Sequence, residues 1–230
     1  MNARIVVSGG GTGIGRAVVE RLVADGREVT AVGRRRGPLE GLGVDLVTAD
    51  VATEDGAAAV AEHVPDCAGV VAAAGGVGGG DGTVRADWQA SFESNVLSAV
   101  LLVEALRPSL LRNAGRVVLL SSVAALRGSG GGPYGAMKAA LHAYVFDLAH
   151  DLGPHGGTAN AVAPGFVPDT EFWEGRLTGE SRAERASRTL VGREGTPAEV
   201  AALIAWLLGP DGGWVTGQVL SPNGGVVLGR

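Results

Sequence analysis

Apolar residues along this chain fall into two alternating patterns. Short runs rich in valine, leucine and alanine lie at Ile5–Val7, Glu28–Val32, Val44–Thr48, Gly69–Ala73, Arg116–Leu120, Thr158–Ala163 and Gln218–Ser221, and each reads as a strand. Between them, longer stretches repeat apolar residues at helical spacing, as Ala17, Val18, Leu22 and Val23 do within Gly13–Ala24. The same spacing predicts helices over Asp55–His63, Asp87–Leu111, Tyr134–Leu152 and Pro197–Leu208, with Gly153-Pro154 stopping one and Pro197 opening another. Thr170–Val191 is polar, rich in Arg and Glu and weakly periodic, so a solvated helical insertion is expected there. Strand runs apolar on both faces, alternating with helices, predict an α/β fold: a doubly wound, seven-stranded parallel sheet with helices on both faces. No linker divides residues 1–230, which are expected to form a single domain.

Composition narrows the function. A net charge of −5 and aromatic residues at 4% leave little with which to neutralise a phosphate backbone or stack on bases, so nucleic acid is not an expected partner. Cys67 is the only cysteine, which excludes an internal disulfide and a multi-cysteine metal site. His63, His142, His150 and His155 show no ligand spacing with it, so no metal is expected. The N-terminal residues lack the long apolar region of a secretory signal, and Gly212–Gly229, the longest uncharged stretch, is interrupted by Gly, Gln218, Pro222 and Asn223. The cytoplasm is the expected compartment, with no membrane partner.

In doubly wound sheets ligands bind just beyond the carboxyl ends of the strands. After the first strand the chain reads Ser8-Gly9-Gly10-Gly11-Thr12-Gly13-Ile14-Gly15-Arg16. The glycines permit a tight turn and close backbone approach, and the next helix offers free N–H groups to a diphosphate. The loop matches G-x-G-x-x-G in no register, and Arg16-Ala17 stand where a P-loop needs Lys and Ser/Thr. A plain strand-to-helix connector is the alternative.

Gly33-Arg34-Arg35-Arg36 ends the second strand, about 20 residues on. NAD would call for a carboxylate at this place, whereas a small residue followed by arginine suits a 2′-phosphate, so NADP(H) is expected over NAD(H). Arg34 and Arg35 are the candidate ligands, and Arg36 reads as solvated. Asp50, at the end of the third strand, is placed either to accept from an adenine amino group or to cap the following helix.

Of 19 basic residues, 18 are arginine; Lys138 is the only lysine, and it stands four residues after Tyr134 on one helix face. A phenol with a reference pKa of about 10 is a poor proton donor at neutral pH, and a neighbouring ammonium stabilises its phenolate. Such a pair can protonate a carbonyl oxygen as hydride reaches the carbon. Ser121-Ser122, ending the fifth strand, offers a hydroxyl to the same oxygen. Taken singly, each residue also fits a structural role. No G-x-S-x-G turn is present to support a serine hydrolase.

Ser8-Gly9-x-x-x-Gly13-x-Gly15, Asn95, Ser122 with Tyr134-x-x-x-Lys138, Asn160-Ala161-Val162-Ala163-Pro164-Gly165, Arg193-x-Gly195-x-Pro197 and Thr216-Gly217-Gln218 together resemble the short-chain dehydrogenases/reductases, above all the 3-oxoacyl carrier-protein reductase type. The resemblance implies a Rossmann fold and reversible reduction of a ketone to a secondary alcohol. Tyr134 would be the acid/base, Lys138 its tuner and ribose ligand, Ser122 the carbonyl's hydrogen-bond partner, and Asn95 the holder of a relay water. The implied cofactor site comprises Ser8, Gly9, Gly11, Thr12, Gly13, Ile14, Gly15, Gly33, Arg34, Arg35, Asp50, Val51, Ala73, Ala74, Gly75, Tyr134, Lys138, Pro164, Gly165, Val167 and Thr170. It also implies a homodimer or homotetramer built on the long helices, and a substrate lid over 166–192. A small carbonyl substrate, free or tethered to a carrier protein, would be the partner.

Where the family has Asn-Asn-Ala-Gly after strand four, this chain has Ala72-Ala73-Ala74-Gly75, so the stabilising asparagine bond is expected to be missing. Met137 replaces the usual serine before the lysine, and Ser122 is one residue nearer Tyr134 than is common, which keeps Ser121 as a second candidate. Gly75–Gly82 reads as a flexible loop; Phe166, Phe172 and Trp173 either line a lid or anchor the insertion. Two other functions remain open: an NADP(H)-sensing protein without turnover, and an enzyme of the same fold used for dehydration or epimerisation.

Overall fold

A computed structural model of the chain describes residues 4–77, 79–128, 130–168 and 170–229. Gly78 of the expected glycine loop and Asp169 of the expected lid lie outside the described residues. Seven strands form one parallel sheet: β1 (Arg4–Ser8), β2 (Val29–Gly33), β3 (Asp45–Thr48), β4 (Cys67–Ala72), β5 (Arg116–Leu120), β6 (Thr158–Val162) and β7 (Gln218–Leu220). Their order is β3-β2-β1-β4-β5-β6-β7, with every pair parallel. Strand order therefore reverses between β1 and β4, and the crevice for a ligand opens at their carboxyl ends.

The five inner strands, β2, β1, β4, β5 and β6, are buried on both faces and supply two cores, while the edge strands β3 and β7 stay partly exposed. Val6, Val70, Val117 and Leu119 face one side, with Ile5, Val7, Val71 and Val118 on the other, the two-residue period of a strand. The first core is closed by α2 (Glu54–His63), α4 (Ser98–Arg112) and α6 (Tyr134–Leu152); α3 (Val84–Phe92) leads into α4, and the short α5 (Ala124–Arg127) packs on α6. The second lies under α1 (Gly13–Ala24) and α8 (Pro197–Leu208), which pack on each other. The remaining helix, α7 (Gly179–Ser187), buries none of its residues, as expected of a solvated insertion. The expected insertion thus resolves into a single turn, Glu171–Trp173, followed by α7.

Element bounds move where capping or burial overrides the local pattern. The expected helix from Asp87 starts at Val84 because the Thr83 side chain accepts from Ala86 N. It then passes through one π turn, Glu93–Leu97, without a break. Strand β4 starts at Cys67, two residues early, where the buried cysteine N–H donates to Ser109 Oγ at 2.8 Å. Residues 84–112 are long and apolar enough to span a membrane by length and composition alone, but α4 lays Leu102, Val103, Leu106 and Leu110 against the sheet, the apolarity of a core helix.

Five of the helices follow a threonine, and their starts differ in one respect. Thr53, Thr83, Thr178 and Thr196 each accept a backbone N–H of the first turn with the side chain, the usual N-cap. Thr12, before α1, makes no such bond. The N–H groups of that first turn are left to another acceptor, at the crevice between β1 and β4.

Candidate active site

The carboxyl ends of the central strands, the start of α6 and the segment after β6 enclose a cleft of about 610 Å³. Its floor begins with the glycine loop. Gly15 is required by close approach: a Cβ there would stand 2.2 Å from the Gly9 carbonyl oxygen. The uncapped first turn of α1, residues 13–15, lines the cleft beside it. Gly33, Arg34 and Arg35 line the adjoining end, with Asp50 and Val51 across from them. Asp50 turns its side chain onto its own loop, accepting from Ala52 N at 3.1 Å, which is the local turn role.

The other end of the cleft belongs to α6. Pro133 before it and Gly153 after it set a helix whose buried stripe is Gly135, Lys138, Leu141, Val145, Leu148 and Leu152. That register puts Tyr134 at the mouth of the cleft and Lys138 one turn deeper, with its ammonium 6.0 Å from the tyrosine ring centre. Lys138 Nζ donates to Leu120 O at the end of β5, 2.8 Å away. Burial without a carboxylate partner pushes its pKa down to about 8.

Burial also governs Tyr134, raising the phenol above its ordinary value, while the Ser122 side chain pulls it the other way. The expected lowering by the ammonium does not appear, and the physical reason is this balance of burial against hydrogen bonding. Ser122 Oγ accepts from Ala124 N at 3.2 Å and lines the cleft. Ser121, the second candidate, is committed elsewhere: its Oγ donates to Lys138 O at 3.0 Å and meets His142 Nε2 at 2.8 Å. It ties β5 to α6 beneath the lysine.

Asn95 departs from its expected place. It is wholly buried at the π turn and does not line the cleft. Its Oδ1 accepts from Gly76 N at 3.1 Å and its Nδ2 donates to Gly76 O at 2.8 Å, so both functions of the amide are spent on the loop after β4. The Asn95 side chain thus clamps that loop, and its Nδ2 also donates to Ser91 O at 3.0 Å. Ser8, also buried behind the cleft, accepts from Ala74 N at 3.2 Å. The loop bond expected to be lost with the family's asparagine is therefore supplied from Asn95 and Ser8. Gly75 completes the clamp: its φ is +150°, and a Cβ there would come within 2.8 Å of Asn95 Oδ1 and 3.0 Å of Lys138 Nζ.

Of the residues expected at the site, only Ser8 and Asn95 stand behind it; the others line this one cleft. Sequence reasoning missed Ala90, Glu93 and Ser94 of the α3 and π-turn wall, as well as Gly76 and Glu171. Their signal is positional only, since they face the cleft through pairing far along the chain. Phe166, Phe172 and Trp173 serve both expected roles. Phe172 lines the cleft and packs on Tyr134 with ring centres 5.3 Å apart, whereas Phe166 and Trp173 stack edge to face at 5.3 Å and hold the turn down.

A family model described as enoyl-(acyl carrier protein) reductase matches residues 9–227. The short-chain reductase protein NovJ of Streptomyces niveus is 33% identical, over 96% of this chain and 92% of its own length. The chain belongs to the short-chain dehydrogenase/reductase family. This short-chain dehydrogenase/reductase is accordingly an oxidoreductase. It is also 32% identical to the 3-oxoacyl-[acyl-carrier-protein] reductase MabA of Mycobacterium tuberculosis, over 98% of this chain and 93% of that one. Among solved structures, a blue fluorescent protein from a metagenomic library, in complex with NADPH, superposes with a TM-score of 0.87 at 29% identity, covering 99% of this chain and all of that one.

Proposed function

We propose that the chain reduces a ketone to a secondary alcohol with NADPH, reversibly. One observation carries the reading: Tyr134, Ser122 and Lys138 line the same cleft as an uncapped glycine loop and two arginines. The cradle suits a dinucleotide, because Gly15 admits no side chain and the N–H groups of α1 lack a cap. Arg34 and Arg35 suit a 2′-phosphate. The solved relative with NADPH supports the same choice. A bound nicotinamide supplies the hydride.

The remaining chemistry belongs to side chains of this chain. The Tyr134 hydroxyl gives a proton to the carbonyl oxygen, and removes it in the reverse direction. A phenol that burial keeps protonated is ready to donate, and Ser122 shares the developing charge on that oxygen. Lys138, fixed by Leu120 O, holds positive charge beside the phenol and stabilises the phenolate that remains. The aliphatic and aromatic wall, Phe172 included, fits a moderately apolar substrate. Relatives named for 3-oxoacyl carrier-protein substrates make a 3-oxoacyl thioester, free or carrier-bound, the first compound to try. A cytoplasmic homodimer or homotetramer, assembled on α4 and α6, belongs to the same proposal.

The matched family description favours a second reading, reduction of an enoyl double bond. Oxidation of NADPH and of NADH, followed with matched 3-oxoacyl, 2-enoyl and simple ketone substrates, separates the readings. Turnover of the ketones with NADPH is the expected result. Turnover of the enoyl compounds alone supports the second reading, and binding of NADPH with no turnover of any substrate supports a sensor.

A further inference from the structure

Three consecutive residues after β6 each touch a different part of the cleft. Thr170 lies against the start of α1, where a Cβ on Gly13 would come within 3.1 Å of its own Cβ. Phe172 packs on Tyr134. Between them, Glu171 crosses to the end of β2, and both its carboxylate oxygens accept from Arg35 Nη2, at 2.9 and 2.6 Å. Glu171 and Phe172 belong to one turn of helix, Glu171–Trp173, with Thr170 just before it and Trp173 packed on Phe166 at 5.3 Å and under the Arg185 guanidinium at 5.0 Å, so a shift of one is transmitted to the other.

Arg35 is thus claimed twice, by Glu171 and by the 2′-phosphate assigned to it above. A phosphate monoester carries close to two negative charges and three acceptor oxygens, and binds a guanidinium fork more strongly than one exposed carboxylate does. The two anions also repel each other across so short a gap. We propose that Glu171 is a cofactor-specificity residue. It competes with the 2′-phosphate for Arg35, and the exchange of partners frees the turn and draws Phe172 away from Tyr134. A 2′-hydroxyl, with no charge to offer, leaves the Arg35–Glu171 pair and the Phe172–Tyr134 contact in place. The dinucleotide's phosphate at one end of the cleft thereby admits the carbonyl compound at the other.

This inference rests on the reading of Arg34 and Arg35 as phosphate ligands, and its test keeps the two apart. NADPH and NADH are titrated by calorimetry into the wild type, Glu171→Gln, Arg34→Gln, Arg35→Gln and the double variant of Glu171→Gln with Arg35→Gln. Glu171 is exposed, so its substitution leaves the fold intact. Glu171→Gln is expected to bind NADPH about three- to fivefold more tightly, with NADH unchanged, and to have no effect in the Arg35→Gln background. Equal shifts for both cofactors, no shift, or weaker NADPH binding overturns the competition. If Arg34→Gln and Arg35→Gln leave NADPH affinity untouched, the phosphate-site reading itself has failed, and the competition falls with it. The second half is read from tryptophan fluorescence, as the difference between wild type and Trp173→Phe. Adenosine 2′,5′-bisphosphate is expected to change that difference and adenosine 5′-monophosphate is not; the same response to both, or to neither, overturns the coupling.

Discussion

The two sides of the cleft are held in opposite ways. On the strand-end side, Ser8, Asn95, Ser121 and Lys138 are all no more than 3% exposed, and each side chain closes on the backbone of a neighbouring element. On the facing side, α7 buries nothing, and the segment is fastened by stacked rings, by the exposed pair Arg35–Glu171 and by the half-buried pair Arg182–Glu194. The difference separates two tasks. On the proposed function, proton transfer, which tolerates little displacement, falls on the side built on the core, and recognition, which needs partners that can be exchanged, falls on the side built on surface contacts.

Substitutions on the two sides should differ most in stability. Leu106→Ala, beneath the wall in α4, removes a fully buried side chain and is expected to cost about 2–5 kcal/mol in denaturant unfolding. A cost under about 1 kcal/mol would show that this core yields as readily as the α7 segment. The next effect is a pH slope. Lys138 sits below its ordinary value of 10.5, at about 8, so the unfolded chain holds that proton over an interval in which the folded chain has released it. Stability then rises with pH from about 8 towards 10.5, by on the order of 3 kcal/mol, and Lys138→Met abolishes that rise. An identical slope in the variant would assign it to another group. Smallest is Glu194→Gln, the partner of Arg182 in α7, expected to change unfolding by less than about 1 kcal/mol and to lose even that in high salt.

The same division marks what could be read from sequence. The wall was legible where local pattern and core agreed: α6 runs from Tyr134 to Leu152 as its spacing and punctuation require, and this alone puts Lys138 one turn below Tyr134. The glycine loop and the arginines after β2 were legible because a sheet of this kind has one crevice. Asn95 was found, but its bond to Gly76 was not, since it joins residues with no shared periodicity. The Arg35–Glu171 pair, 136 positions apart, leaves no local trace at all. The net direction of the Tyr134 pKa was not legible for another reason: spacing places an ammonium near a phenol, but burial of both groups decides the direction of each pKa.

The proposed mechanism has the Tyr134 hydroxyl carry the proton to the carbonyl oxygen. Tyr134→Phe keeps the ring and its contact with Phe172 and removes only the oxygen. NADPH-dependent turnover of the best ketone should fall by roughly 10²–10⁴-fold while NADPH binding stays within twofold of wild type. Turnover retained in the phenylalanine variant, with normal cofactor binding, would place the proton donor elsewhere and contradict the mechanism.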